Sequence, residues 1–148
     1  VEYINDNEPI VFNDCDHYFY SSKFYNFFTK KVPANLLGLL LTFKSNSPNY
    51  SYIKYNTNDE IINIVEKQVI SDDAICGCYY FINKLIFTTA AKKYISNSLD
   101  KEYYMSGVYN LMIKMGQVNS FSTDFHVPCG TPIEYENALK SNYYQCLM

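Results

Sequence analysis

Two carboxylates one residue apart, Asp14 and Asp16, follow the apolar run Pro9-Ile10-Val11-Phe12. That run reads as a buried strand over 9–13, and the carboxyl ends of strands are where open α/β sheets meet their ligands. Hard divalent cations take carboxylate oxygens, and Mg²⁺ typically keeps one or two protein carboxylates beside substrate phosphates. Side chains alternate along a strand, so Asp14 and Asp16 share a side if the extended backbone continues through the motif. Two solvated loop acids fit the same spacing. Glu66-Lys67 ends a second alternating stretch, Ile61 to Val65. An ammonium is a point charge suited to phosphate, and a carboxylate accepts from hydroxyls. An exposed strand-end pair is the plainer reading.

Cys76-Gly77-Cys78, with His17 and His126 elsewhere, invites a zinc site. No second C-x-x-C or H-x₃-H unit accompanies it, so zinc is not expected. Gly77 says more: a missing side chain within a strand lets a ligand approach the backbone. Glu102 falls at a helix start, where its charge suits the macrodipole. Cys129 stands just before a helix N-terminus, which lowers a thiol's pKa, and His126 is three residues away. No third group orients that pair, so a cysteine nucleophile is not expected. The tyrosine-rich stripes read as packing.

These residues need elements to hold them. A helix is expected from Ser21-Ser22 through Lys31, with Phe24, Phe27 and Phe28 on one face and Pro33 closing it. The run 35–44 (NLLGLLLTFK) fits a central strand covered on both faces, in which Gly38 either weakens the strand slightly or marks a close backbone approach. Strands 50–56 and 61–68 flank the turn residues Thr57 to Glu60 and predict a hairpin. Another strand covers 75–82. Helices are expected over 88–96 and 103–115, the latter closed by Gly116, with a weak strand at 118–124. Thr131-Pro132-Ile133-Glu134 has the N-cap, first-turn proline and capping-box glutamate of a helix start. The pattern predicts one α/β domain over 1–148, a mixed, mostly parallel sheet with flanking helices.

The totals narrow the function. With 148 residues and 48% hydrophobic content, the chain can bury a core of ordinary size. A net charge of -3 argues against a nucleic-acid binder, and no basic run exceeds two lysines, so no membrane-surface anchor is expected. Leu36 to Phe43 is too short to span a bilayer, and no signal peptide opens the chain. Five cysteines without framework spacing predict reduced thiols and a cytoplasmic protein.

Taken in order, PIVFNDCD, SPNYSYIKYN, IINIVEKQVISDDAICGCYYF, KEYYMSGVYNLMIKMG and CGTPIEYENAL resemble the sugar-nucleotidyltransferase family. This family comprises nucleotide-sugar pyrophosphorylases and related cytidylyltransferases. More closely, the motifs resemble bacterial members found in capsular and surface-polysaccharide gene clusters. The resemblance covers about residues 8 to 140, and VEK before a GxYYF-like strand and the terminal GTP-x-E are its most specific pieces. It implies an incomplete Rossmann-like (GT-A-like) fold and transfer of a nucleotidyl group from an NTP (CTP, UTP or dTTP) to a phosphorylated acceptor. That acceptor is usually a sugar 1-phosphate, pyrophosphate is released, and the product serves surface-glycan or capsule precursor synthesis. By the same resemblance Asp16, with Asp14, holds Mg²⁺ or Mn²⁺. Glu66 and Lys67 contact the acceptor's hydroxyls and phosphate, Gly77 lines its pocket, and Glu102 adds a contact. Asp16 and Lys67 are the residues on which the chemistry would turn.

Two departures follow. Many relatives carry a second metal-binding aspartate in W-x-D-x-G where this chain has Pro128 in HVPCG, so a metal site built on both of those acids is not implied. The family also opens with a strand and a glycine-rich phosphate loop. The five glycines here are scattered, and Val1 opens the chain. The expectation is therefore an acceptor- and metal-binding half, inactive alone, lacking roughly 80 to 110 preceding residues. As protein partners, a second copy or a complementing N-terminal chain fits that reading. Two other functions fit the same residues: a ligand-binding module without catalysis, and a D-x-D metal-dependent glycosyltransferase.

Overall fold

A computed structural model describes residues 3–98 and 102–141. Strand β6 (Asp73–Phe81) organises it. One edge of β6 takes β3 (Leu36–Lys44) along its length. The other edge is divided. β4 (Tyr52–Tyr55) joins it at Ala74, and β1 (Ile10–Asn13) pairs with it from Cys78 to Phe81. Beyond β4 lies β5 (Ile61–Val65), and beyond β3 lies β7 (Gln117–Ser122), giving the order β5-β4-β6-β3-β7 with β1 beside β6. A separate ribbon pairs β2 (His17–Tyr20) with β8 (Phe125–Pro128).

The sheet is mixed and open, as the sequence predicts, but it is not mostly parallel. Only β3 and β7 run parallel, and every other ladder is antiparallel. A parallel pair needs a long crossover, whereas a tight turn enforces antiparallel pairing. The β4–β5 turn is such a case: Asn56 Oδ1 accepts from the N–H groups of Asn58 (2.9 Å) and Glu60 (3.0 Å), and Asp59 sits at φ 59°. The β3-to-β7 connection, by contrast, carries two helices.

Those helices, α2 (Lys84–Asn97) and α3 (Met105–Met112), cover one face of the sheet over Leu40, Ile64, Tyr79 and Phe81. Each such fully buried side chain contributes about 1.5–3 kcal/mol. The short α1 (Ser22–Phe27) and the β2–β8 ribbon cover the other face over Leu39, Leu41 and Tyr80. Alternation along β3 therefore feeds two cores, which is why its sequence is almost wholly apolar. Tyr109, fully buried, sets its hydroxyl 2.6 Å from Tyr80 O and 3.1 Å from Leu39 O, tying α3 to both central strands. Gly38 makes room there, since a Cβ would stand 2.8 Å from Tyr80 O.

β6 is bulged. Between the pairs Leu40–Tyr79 and Thr42–Ile75, the three residues Cys76 to Cys78 face the single residue Leu41. At the centre of the bulge Gly77 adopts φ 77°, a left-handed conformation that glycine takes at no steric cost.

Several element bounds differ from expectation. β1 is half-buried rather than buried, with Val11 50% exposed, because only β6 pairs with it. α1 stops at Phe27 instead of reaching Lys31. α2 begins four residues earlier than expected, capped by Asn83, whose side chain accepts from Ile86 N at 2.8 Å. α4 (Pro132–Lys140) opens with the full capping box anticipated at Thr131 and Glu134. Among the described residues no helix is long and apolar enough to cross a membrane.

Candidate functional site

The split edge of β6 builds the site. β1 runs toward Gly77 and ends there, Asp14 N donating to Gly77 O at 2.8 Å. β4 starts just beyond, Ile75 N donating to Ser51 O at 2.8 Å. The carboxyl end of one strand thus meets the amino end of the other across the bulge. The Asp14 side chain lies on Gly77, where a Cβ would sit 2.6 Å from Oδ2. Burial raises the proton affinity of Asp14, His17 partly offsets this, and Asp16 and Glu66 add to it.

The chain turns at Asp14-Cys15-Asp16 instead of continuing as a strand, so alternation does not bring the two acids together. Asp16 rests instead against Gly130, whose Cβ would stand 2.6 Å from its Oδ2. The backbone there is fixed by Cys129 N donating to Asp16 O at 2.8 Å. His17 Nε2 lies 3.5 Å from Asp16 Oδ1, and His17 Nδ1 lies 2.7 Å from Nε2 of His126. His126 stacks on Phe43 at 3.6 Å between centroids, and burial, then His17, push it down to about 4.

Glu66 and Lys67 lie just past β5. Ser51 and Ser106 both donate to Glu66 Oε2, Ser106 at 2.9 Å. Lys67 departs from the strand at φ 53°, with its N–H on Tyr50 O (3.1 Å). Its ammonium donates to the Tyr104 hydroxyl at 3.1 Å, 4.8 Å from that ring's centroid, and Tyr104 in turn donates to Glu102. The Tyr104 contact raises the proton affinity of Lys67. Glu102 lies ahead of α3, whose N-cap is Tyr104, rather than in its first turn.

Two hollows adjoin here. An inner one of about 290 Å³ is bordered by Asp14, Ser51, Glu66, Gly77, Tyr79 and Tyr104. An outer one of about 330 Å³ is bordered by Asp16, Lys67, Pro128, Gly130, Thr131 and Glu134. They share the wall formed by His17, Asn49 and Tyr50. Glu102 borders a third, open groove beside α3, together with Glu66 and Tyr104. A larger hollow of about 890 Å³, near Asn58, Asp59 and Lys114, touches none of the candidate residues.

Among the described residues no three His, Cys, Asp or Glu side chains gather into a metal cage. Two carboxylates nevertheless match a cation whose remaining shell is phosphate and water. Asp14 carries no hydrogen-bond donor on its carboxylate among the described residues, and a cation would balance the charge it shares with Asp16 and Glu66. Cys76 and Cys78 are buried against Leu41, with burial pushing both thiols up to about 12, so they form no site with the histidines. Cys129 is also shifted upward, by burial and then by Asp16 and Glu134, the reverse of a helix-activated nucleophile. Sequence reasoning missed Tyr50, Ser51, Tyr104 and Ser106. Ser51 and Tyr50 precede a strand, and only the β4–β5 register, in which Tyr52 faces Val65, points them at Glu66 and Lys67.

Neither a protein-family profile nor a curated protein sequence matches the chain. Solved structures do. A nucleoside-diphosphate-sugar pyrophosphorylase from Vibrio cholerae RC9 superimposes with a TM-score of 0.70 at 23% identity, over 90% of this chain and 56% of that one. A putative glucose-1-phosphate thymidylyltransferase from Bacillus anthracis, crystallised with sucrose, gives 0.71 at 18% identity, over 93% and 55%. The chain spans little more than half the length of either. At these identities the likeness establishes the fold: an α/β fold like that of sugar nucleotidyltransferases.

Proposed function

We propose that the chain is the acceptor- and cation-binding half of a nucleotidyltransferase acting on an NTP and a phosphorylated small molecule. The observation that carries this is the shared hollow: Asp16 and Lys67 border one cavity, which adjoins the cavity of Asp14, Glu66 and Gly77. A phosphate oxygen of the acceptor attacks the α-phosphorus of the NTP. The new P–O bond forms as the α–β bridge breaks and pyrophosphate leaves. No covalent enzyme intermediate is needed, so placement and charge neutralisation do the catalysis.

Asp16, with Asp14, would hold Mg²⁺ or Mn²⁺. Such a cation neutralises phosphate charge when bound. Lys67 supplies a second positive charge on the acceptor phosphate, Tyr104 restraining its ammonium. Glu66 accepts from the acceptor body, Gly77 makes room for the Asp14 side chain in the same hollow, and Glu102 fixes Tyr104. CTP, UTP and dTTP are the candidate donors, and a surface-glycan or capsule precursor is the product class we favour. The nucleotide-binding loop would come from sequence outside this chain or from a complementing chain. A cytoplasmic location accords with the unpaired thiols of Cys15, Cys76, Cys78 and Cys129.

Pyrophosphate release from NTP and phospho-acceptor, measured in the protein carrying its nucleotide-binding segment, tests this. Asp16→Ala should lower the rate at least roughly 100-fold with the circular dichroism unchanged. Lys67→Ala should raise the acceptor KM about tenfold. Normal turnover in Asp16→Ala refutes the metal role. Acceptor binding without turnover supports a binding module instead, and sugar transfer without pyrophosphate release a glycosyltransferase.

A further inference from the structure

The hydrogen bonds at Glu66 are unusual for an acid at a strand end. Continuing the register in which Tyr52 faces Val65, Ser51 stands opposite Glu66 and its hydroxyl donates to Oε2. From the helical layer Ser106, the second residue of α3, donates to the same Oε2 at 2.9 Å. Both serines are buried, 8% and 3% exposed. An exposed carboxylate is satisfied by water, and buried serines commonly bond nearby backbone carbonyls instead. Two of them on one oxygen fix the carboxylate from two separate elements. The other oxygen, Oε1, has no donor among the described residues, and Glu66 borders the inner hollow.

We propose that Ser51 and Ser106 are positioning residues that lock Glu66 so that Oε1 accepts a hydrogen bond from the body of the acceptor. This rests on the nucleotidyl-transfer reading, in which Glu66 already meets the acceptor's hydroxyls, and adds the two residues that aim it. An ionised carboxylate can only accept. Asp14 faces the same hollow, whose lining includes no lysine or arginine. The acceptor body therefore has to present O–H or N–H groups. A polyhydroxylated or amino-substituted phosphate ester meets this, and an aliphatic phosphate does not.

Calorimetry on the full chain tests the inference with glucose 1-phosphate, glucosamine 1-phosphate and ethanolamine phosphate as donor-bearing probes and n-butyl phosphate as the donor-free one. The tightest donor-bearing probe should bind at least about tenfold better than n-butyl phosphate. S51A/S106A should erase that margin and leave n-butyl phosphate unchanged. Should the double variant not fold, S51A alone supplies the comparison. In an E66A background, removing the serines should change affinity by less than about twofold, because they act through Glu66. Wild-type affinities in the serine variants, or an equal loss with and without Glu66, overturn the inference while leaving the reaction class standing. Failure of all four probes to bind the wild type overturns the acceptor-site reading itself.

Discussion

Gly77→Ala perturbs the point at which fold and site meet, and its cost can be worked out. A side chain at φ 77° pays the left-handed penalty of about 1–2 kcal/mol for an L-residue. The new Cβ would also lie 2.6 Å from Asp14 Oδ2 and 2.9 Å from Asp14 Cβ. The carboxylate can rotate away, but Asp14 Cβ cannot, because its backbone is held by the 2.8 Å bond to Gly77 O. Relieving that contact costs about another 1–3 kcal/mol. The sum is about 3 kcal/mol. With a urea m-value of about 2 kcal/mol/M, the unfolding midpoint falls by about 1.5 M. In an Asp14→Gly background every contacted atom is gone and only the backbone penalty remains, so the drop shrinks to about 0.7 M. Equal drops in both backgrounds would refute the packing of Asp14 on Gly77. A drop under about 0.3 M would refute the left-handed bulge.

Burial holds His126 down to about 4, against an unfolded value near 6.5, so stability is fully present above pH 6.5 and is lost as pH falls toward 4. Allowing for screening, the loss between pH 7 and pH 5 is about 1 kcal/mol, and His126→Phe should flatten it; an unchanged urea profile counts against this. Cys76 and Cys78, pushed up to about 12, present roughly one thiolate in ten thousand at pH 8. Iodoacetamide on the native chain should therefore mark exposed Cys15 and spare both, and peptide mass mapping that finds Cys78 labelled disproves it. Thr131→Ala removes the capping box of α4 and should cost about 1 kcal/mol, a shift of about 0.5 M in the urea midpoint. No shift would mean that the cap contributes nothing.

Where one segment's chemistry decides its structure, the sequence was readable. The apolar run of β3, the turn residues between β4 and β5, and Thr131 with Glu134 all behave as their types require. A glycine inside that run could either weaken the strand or mark a close approach, and the contact with Tyr80 O decides for the second. Strand direction was readable only for the β4–β5 hairpin, because the other antiparallel partners are joined by long connections that either direction can use. β2 and β8 were missed because each has four residues and finds its partner about a hundred positions away. The D-x-D spacing suggested convergence by alternation, yet a turn replaces the strand, and the two acids rest on different glycines, Gly77 and Gly130. Ser51 and Ser106 carry no signal of their own. Serine is too common, and only the register gives these two a shared partner.

One irregularity explains most of this arrangement. Were β6 to keep even register with β3, its opposite edge would pass hydrogen bonds from β4 to β1 with no room between them. Three residues set against Leu41 bend the strand at Gly77, and the two edge partners part there. Their facing ends, Asp14 on one side and Tyr50-Ser51 on the other, become walls of a cavity. Past Asp14 the chain turns into β2, whose partner β8 leads straight to Gly130 and α4, so the same ribbon brings Asp16 to Thr131 and Glu134. Opposite, the left-handed Lys67 leaves the β5 direction just where Tyr50 ends the wall. The cysteines flanking Gly77 then have a packing role, filling the space against Leu41 that the bulge opens on the far side.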